Sequence, residues 1–251
     1  MIHRRTAVAF LAAAPLVLSG CGGGAEAAPS RSDVSRPDDG RPAGATATPT
    51  PESTPQPLDI PGLGPRTKAA IPEGARQAVV AVGRGKDSPI SSVVLYSRDD
   101  NGWQRGASWP AHNGKSGWSE HHMAGDLRSP VGVYGLTDAG GLLADPGSKL
   151  PYHRSAGFYS PGTGFEGEPL EGSFDYVVAI NYNREPGTSP LDWTRPLGTA
   201  RGGGIWLHVD HGGPTHACVS VAKAHMKELL KALDPDRHPV VVMGYADWLA
   251  Q

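Results

Sequence analysis

From Ile205 to Ser220 the chain reads Ile-Trp-Leu-His-Val-Asp-His-Gly-Gly-Pro-Thr-His-Ala-Cys-Val-Ser, so His208, His211 and His216 all lie within ten residues of Cys218. The nucleophilic form of cysteine is the thiolate. A free thiol with a pKa near 8.5 is only a few per cent ionised at neutral pH unless a base or a positive dipole stands close by. Both are within reach here. Ser220 is a good N-cap, and the following residues set Met226, Leu229, Leu230 and Leu233 at offsets 0, 3, 4 and 7, one apolar stripe closed by Asp234-Pro235. A helix beginning there would bring its partial positive charge near Cys218. A histidine ending a preceding strand could take the thiol proton. In an extended segment His216 shares a face with Cys218, two residues on, which suits it to shaping the site.

The elements that must hold these groups are mostly strands. Short β-branched runs broken by turn residues are expected to form strands at 77–82, 92–97, 103–109, 131–136, 176–181, 205–209 and 240–243, in a mainly antiparallel β fold. One convincing helix covers 221–233. The Gly- and Pro-rich stretch 138–171 lacks periodicity and is expected to be a long surface excursion along a cleft wall.

The N-terminus has a different character. Arg4-Arg5 precede an almost wholly apolar run of about 12 residues, too short for the roughly 20 needed to span a bilayer, and this predicts a secretory signal over residues 1–20. Leu18-Ser19-Gly20-Cys21 resembles a bacterial lipobox, which implies cleavage before Cys21 and acylation of its thiol. Residues 21–57, rich in Gly, Ala, Pro, Ser and Thr, then read as a stalk. The expectation is a protein held by lipid at Cys21 on the outer face of the cell membrane, with the catalytic domain over 58–251. Sec and Tat export are both compatible with the twin arginines. With Cys21 lipidated, Cys218 has no disulfide partner in the chain, a liability in an oxidising compartment unless the thiol has work to do.

The segment around Cys218 resembles the signature of the L,D-transpeptidase (YkuD-like) catalytic domain, an upstream histidine followed by Ser/Thr-His-Gly-Cys. Here it is His208, then Thr215-His216-Ala217-Cys218. Ser129-Pro130-Val131-Gly132-Val133-Tyr134 is similar to that family's Thr-Pro-x-Gly-x-Phe strand entry, and the likeness runs from about Gln77 to Met243. The resemblance implies an L,D-transpeptidase-like β-sandwich with one helix after the catalytic cysteine. It implies Cys218 as nucleophile, His208 as the activating imidazole, and backbone N–H groups of His216, Ala217 and Cys218 as the oxyanion hole. It also implies acyl transfer on peptidoglycan stem peptides, through a thioester, with no cofactor and no metal. Three positions depart from the pattern. Ala217 replaces glycine, a problem if the backbone there needs a positive φ. The ten-residue spacing makes 210–214 a tight Gly-Pro turn and keeps His211 as a reserve base. Ser220 stands where Arg or Asn is common, so Arg128 or Arg201 becomes the candidate for a substrate carboxylate. Tyr134, Trp193 and Trp206 are candidate aromatic walls.

The chain has 251 residues, with 23 Lys plus Arg against 25 Asp plus Glu. That balance gives no basic field for holding nucleic acid. Thirty-four Gly and 24 Pro disfavour a helical bundle. Two rival functions remain: a zinc-dependent peptidoglycan peptidase, from His122 and Asp126 in a His-x-x-x-Asp spacing, and a non-catalytic wall-binding lipoprotein in which Cys218 is inert.

Overall fold

The computed structural model describes residues 58–251; the signal expected over 1–20, the lipidation expected at Cys21 and the stalk expected to residue 57 lie outside the described residues. In chain order the strands are β1 (Gln77–Gly83), β2 (Ile90–Asp99), β3 (Gly102–His112), β4 (Trp118–Ser119), β5 (Ser129–Pro130), β6 (Gly132–Gly135), β7 (Ala139–Gly141), β8 (Tyr152–Arg154), β9 (Val177–Ala179), β10 (Trp206–Val209), β11 (Val219–Val221) and β12 (Val240–Tyr245). The helices are α1 (Pro65–Ala69), α2 (Lys223–Ala232) and α3 (Ala246–Leu249). Ten strands join one curled sheet in the order β6-β12-β1-β2-β3-β11-β10-β9-β7-β8, and β4 pairs with β5 apart from it. The β12–β1, β11–β10 and β7–β8 pairings are parallel and the other pairings of the large sheet antiparallel, so the expected mainly antiparallel fold is found.

The sheet's centre follows from composition. Strands β1 and β12 are nearly unbroken Ala/Val runs, buried almost throughout, as strands covered on both faces must be. Strands β2 and β3 form a hairpin with Asp99 opposite Gly102. Its turn is set by the Asn101 N–H donating to the Asp99 carboxylate at 2.8 Å and by Gly102 at φ +99°. Helix α2 lays Met226, Leu229 and Leu230 into the core, the stripe its sequence predicts, and packs against β10.

Two expectations need correction. The helix does not start at Ser220. Residues 219–221 are β11, held between β10 and β3, and α2 begins at Lys223 after Ala222. Strand pairing of Val-Ser-Val outweighs the capping preference of one serine. The stretch 138–171 is also more than a loop, for β7 and β8 lie in it and close one edge of the sheet. Its apolar pattern is hidden because the buried residues of β7 are Ala139, Gly140 and Gly141. A Cβ on Gly141 would stand 2.1 Å from the Asp175 carbonyl oxygen, so the strand approaches its neighbour only as glycine.

Candidate active site

The parallel pairing of β10 with β11 sets Leu207 opposite Val219 and His208 opposite Ser220, which leaves Cys218 beside Trp206 at the entry to β11. Alternation then puts Trp206, His208, Cys218 and Ser220 on one face. The Trp206 N–H donates to Cys218 Sγ at 3.4 Å, and the thiol donates to the Gly204 carbonyl at 3.7 Å. The Cys218 carbonyl is pinned by two hydroxyls, Thr215 Oγ1 at 2.7 Å and Ser129 Oγ at 3.2 Å. Ser129 Oγ in turn accepts the Gly114 N–H at 2.9 Å. The Ser129-Pro130 and Thr215-His216-Ala217-Cys218 motifs, far apart in sequence, thus meet at one carbonyl.

His208 is 2 % exposed. Its Nδ1 donates to the Val209 carbonyl at 2.8 Å, which fixes the neutral tautomer with the lone pair on Nε2. Burial drives this imidazole down to about 4, although the Val209 carbonyl pulls the other way. Burial also pushes the Cys218 thiol up to about 11, offset in part by the Trp206 N–H. Both shifts favour the thiol over the thiolate and the neutral ring over the imidazolium, and the expected help from a helix N-terminus is not found, since β11 separates Cys218 from α2.

Among the described residues, the N–H groups of His216, Ala217 and Cys218 meet no acceptor. Ala217 is not among the residues with positive φ, so its Cβ is tolerated and the backbone still presents these donors. Gly212, at φ +90°, makes the turn that brings the chain back from β10. The start of that turn is fixed by Asp210, whose Oδ1 accepts from Ser220 Oγ at 2.7 Å and lies 2.8 Å from His112 Nδ1. Burial pushes the Asp210 carboxyl upward, yet the His112 and Ser220 hydrogen bonds prevail and hold it low; the same bond raises His112. This is the work of Ser220 in place of helix capping.

His208, His211, His216 and Cys218 all line one cavity of about 380 Å³, walled by Phe174 and Trp206. A second cavity of about 490 Å³ lies on the Ala217 side, and the two share Trp193, Arg195, Gly203 and His216. His216 is exposed and its ring lies against Phe165, centroids 4.7 Å apart and tilted by 45°. Of the candidate aromatic walls, Trp193 and Trp206 face the cavity. Tyr134 does not; it packs edge-on against Tyr182 and donates to the Val131 carbonyl.

Neither arginine proposed for a substrate carboxylate lines these cavities. Arg128 pairs with Asp87 at 2.7 Å, and Arg201 ends the short helical turn Thr199–Arg201. Arg195 lines both cavities. Its Nη1 donates to the Asp192 and Thr194 carbonyls at 3.1 and 2.9 Å, and its guanidinium lies over the Trp193 ring at 4.7 Å. Among the described residues no carboxylate comes within ion-pair distance of it. A Cβ on Gly203 would stand 2.2 Å from Arg195 Nε, so this glycine, at φ +142°, is the floor on which the guanidinium rests. The sequence offered no signal for Arg195 beyond the neighbouring tryptophan.

The zinc reading finds no support in the geometry. His122 Nδ1 lies 2.9 Å from Asp126 Oδ1, and that carboxylate is engaged by the N–H groups of Met123 and Arg128. Among the described residues no three His, Cys, Asp or Glu side chains gather at metal-holding distance.

A thiol and a tautomer-locked imidazole line one cavity of a mainly β protein, beside backbone N–H groups that meet no acceptor, and these are group types that cysteine acyl transfer uses. The L,D-transpeptidase catalytic domain (YkuD) family model matches residues 76–242, and the chain belongs to that family. No curated protein matches. Among solved structures the chain is similar to Bd1075 from Bdellovibrio bacteriovorus, at 17 % identity and TM-score 0.36, covering 72 % of this chain and 50 % of that one. It is also similar to the helical cell shape determining protein Pgp2 from Campylobacter jejuni, at 16 % identity and TM-score 0.39, covering 66 % and 46 %. The match spans half or less of each of those chains.

Proposed function

We propose that the protein is a peptidoglycan L,D-transpeptidase acting in cell-wall cross-linking or remodelling. The observation that carries this is that Cys218 and His208, with its Nε2 lone pair free, line one cavity, beside the N–H groups of His216, Ala217 and Cys218 that meet no acceptor among the described residues. The Cys218 sulfur attacks the carbonyl of the L-centred diaminoacyl residue of a tetrapeptide stem while its proton passes to His208 Nε2. The tetrahedral oxyanion faces the three N–H groups; one such donor is typically worth about 3 kcal/mol. Collapse breaks the C–N bond, His208 returns the proton to the departing D-alanine amine, and a thioester remains on Cys218 for transfer to an amine. Arg195 takes the carboxylate of the departing residue. His208 is neutral at rest, so its Nε2 lone pair is unprotonated across physiological pH and able to take the thiol proton during attack.

The remaining features belong to the same proposal. The signal is removed after residue 20, Cys21 is acylated, and residues 21–57 hold the domain off the outer face of the membrane. Changing Cys21 to serine should release the protein from membranes.

The test of the catalytic reading is acylation by a carbapenem, followed by intact-mass spectrometry. One adduct, mapping to Cys218 and lost in Cys218→Ala, is expected. The second reading, a non-catalytic wall-binding protein, draws on the un-ionised thiol, to which no imidazole is hydrogen-bonded. A protein that gains no adduct at any pH selects it.

A further inference from the structure

Beside the thiol's own base stands a second imidazole, which the acylation step above does not use. His211 Nδ1 lies 3.0 Å from Glu168 Oε1, with the two side chains 6 % and 12 % exposed. The other oxygen of Glu168 accepts the Glu166 N–H at 2.8 Å. The carboxylate is seated between Gly164 and Gly213: a Cβ on either would stand 1.9 or 2.3 Å from Oε1. Backbone donors, its own and that of Glu166, hold this carboxyl below the usual range, with His211 adding to the effect. An Nδ1–H bond to a carboxylate leaves Nε2 as the acceptor nitrogen of a ring that lines the Cys218 cavity. The His211 ring lies parallel to His208, interplanar angle 10° and centroids 5.9 Å apart, so two imidazoles with tethered Nδ1 atoms form one wall.

The two differ in what they can do with a proton. A proton on His208 is met by the Val209 and Ser173 carbonyls and by the Asp210 charge, with no carboxylate in contact with the ring, in a site whose burial opposes charge. A proton on His211 is met by a carboxylate at 3.0 Å. An imidazole backed by a carboxylate suits the second half of a transfer reaction, in which the acceptor amine must give up a proton as it attacks the thioester.

We propose that His211, oriented by Glu168, is the general base of the second half-reaction. The step rests on the transpeptidase reading. The acceptor nitrogen bonds to the thioester carbonyl as its proton passes to His211 Nε2. The carbonyl re-forms with loss of the C–S bond, and the His211 proton returns to the sulfur, restoring the thiol. His211 is then a catalytic residue for transfer to the acceptor amine and Glu168 a positioning residue, while His208 serves release of the D-alanine amine.

The experiment separates the two halves in the full-length protein. With a tetrapeptide donor, acylation is read as single-turnover D-alanine release, and transfer as decay of the Cys218 thioester by intact mass after adding an amine acceptor. In His211→Gln and Glu168→Gln, acylation should stay within about threefold of wild type while transfer falls about 100-fold, so that the thioester accumulates. Glu168→Asp should recover part of the transfer rate. Equal losses in both halves, or transfer at the wild-type rate in His211→Gln, would overturn the assignment. Failure of the wild-type protein to form any thioester would instead remove the transpeptidase reading, and this step with it.

Discussion

A thiol at about 11 beside an imidazole at about 4 predicts two different pH profiles from one sulfur. An alkylating agent such as iodoacetamide brings no carbonyl to place against His208 and reacts with whatever thiolate exists. At pH 7.5 a free cysteine is roughly 9 % ionised and Cys218 roughly 0.03 %, a deficit of about 300-fold. The more basic thiolate is the better nucleophile, and a Brønsted slope of about 0.45 over 2.5 pKa units restores about tenfold. Cys218 should therefore alkylate about 20- to 30-fold more slowly than glutathione-like thiols. Its rate should climb tenfold per pH unit from pH 6 to 10, without a break near 8.5. Carbapenem acylation, in which His208 removes the proton during attack, should be nearly independent of pH from about 5 to 10 and fall only as His208 protonates near 4. Both rates can be followed by intact mass on one preparation. An alkylation rate that levels off below pH 8 would show a resting thiolate–imidazolium pair and refute the reasoning.

Other consequences are equally open to measurement. Protonating unfolded His208 near 6.5 while the folded ring resists until about 4 removes stability as pH falls between those values, by about 3 kcal/mol in total. Urea midpoints at pH 7.5 and 4.5 should differ less in His208→Gln than in wild type, and equal differences would contradict the buried neutral ring. Ser129→Ala takes one of two hydroxyls from the Cys218 carbonyl and should cost about 1–2 kcal/mol in urea unfolding, with slower acylation; an unchanged acylation rate would separate Ser129 from the site. Arg195→Met should raise KM about 10- to 100-fold for tetrapeptides ending in a carboxylate while leaving the C-terminal amide unaffected, and an equal loss on both would deny the charge contact. Gly203→Ala places a Cβ against Arg195 Nε and should show the same selective loss; indifference would mean the guanidinium can rest elsewhere.

Much of this was legible in one dimension. The seven β-branched runs each became a strand, because alternation and β-propensity act locally and the tertiary fold agreed with them. The Met226-Leu229-Leu230 stripe became the buried face of α2 for the same reason. Strand β7 was missed because glycine carries its buried positions and leaves no hydrophobic signal, and β8 because none of Tyr152, His153 and Arg154 is buried. The start of α2 was misplaced because the cap preference of Ser220, worth about 1 kcal/mol, competes with two strand pairings that the local sequence cannot reveal.

The sequence by itself placed one of the chain's two cysteines among three histidines near a turn between strands, residue types that acyl transfer requires. It could not determine protonation. Whether Cys218 rests as thiol or thiolate, and whether His208 is charged, depends on how much water the packed sheet removes and on which carbonyls close over the rings. Only tertiary structure decided that, and likewise that Arg195 rather than Arg128 or Arg201 reaches the cavity and that Glu168 grips His211 from 43 residues away. Bond types are written in residue identity, but electrostatic energies depend on distance and burial, which exist only once the chain has folded.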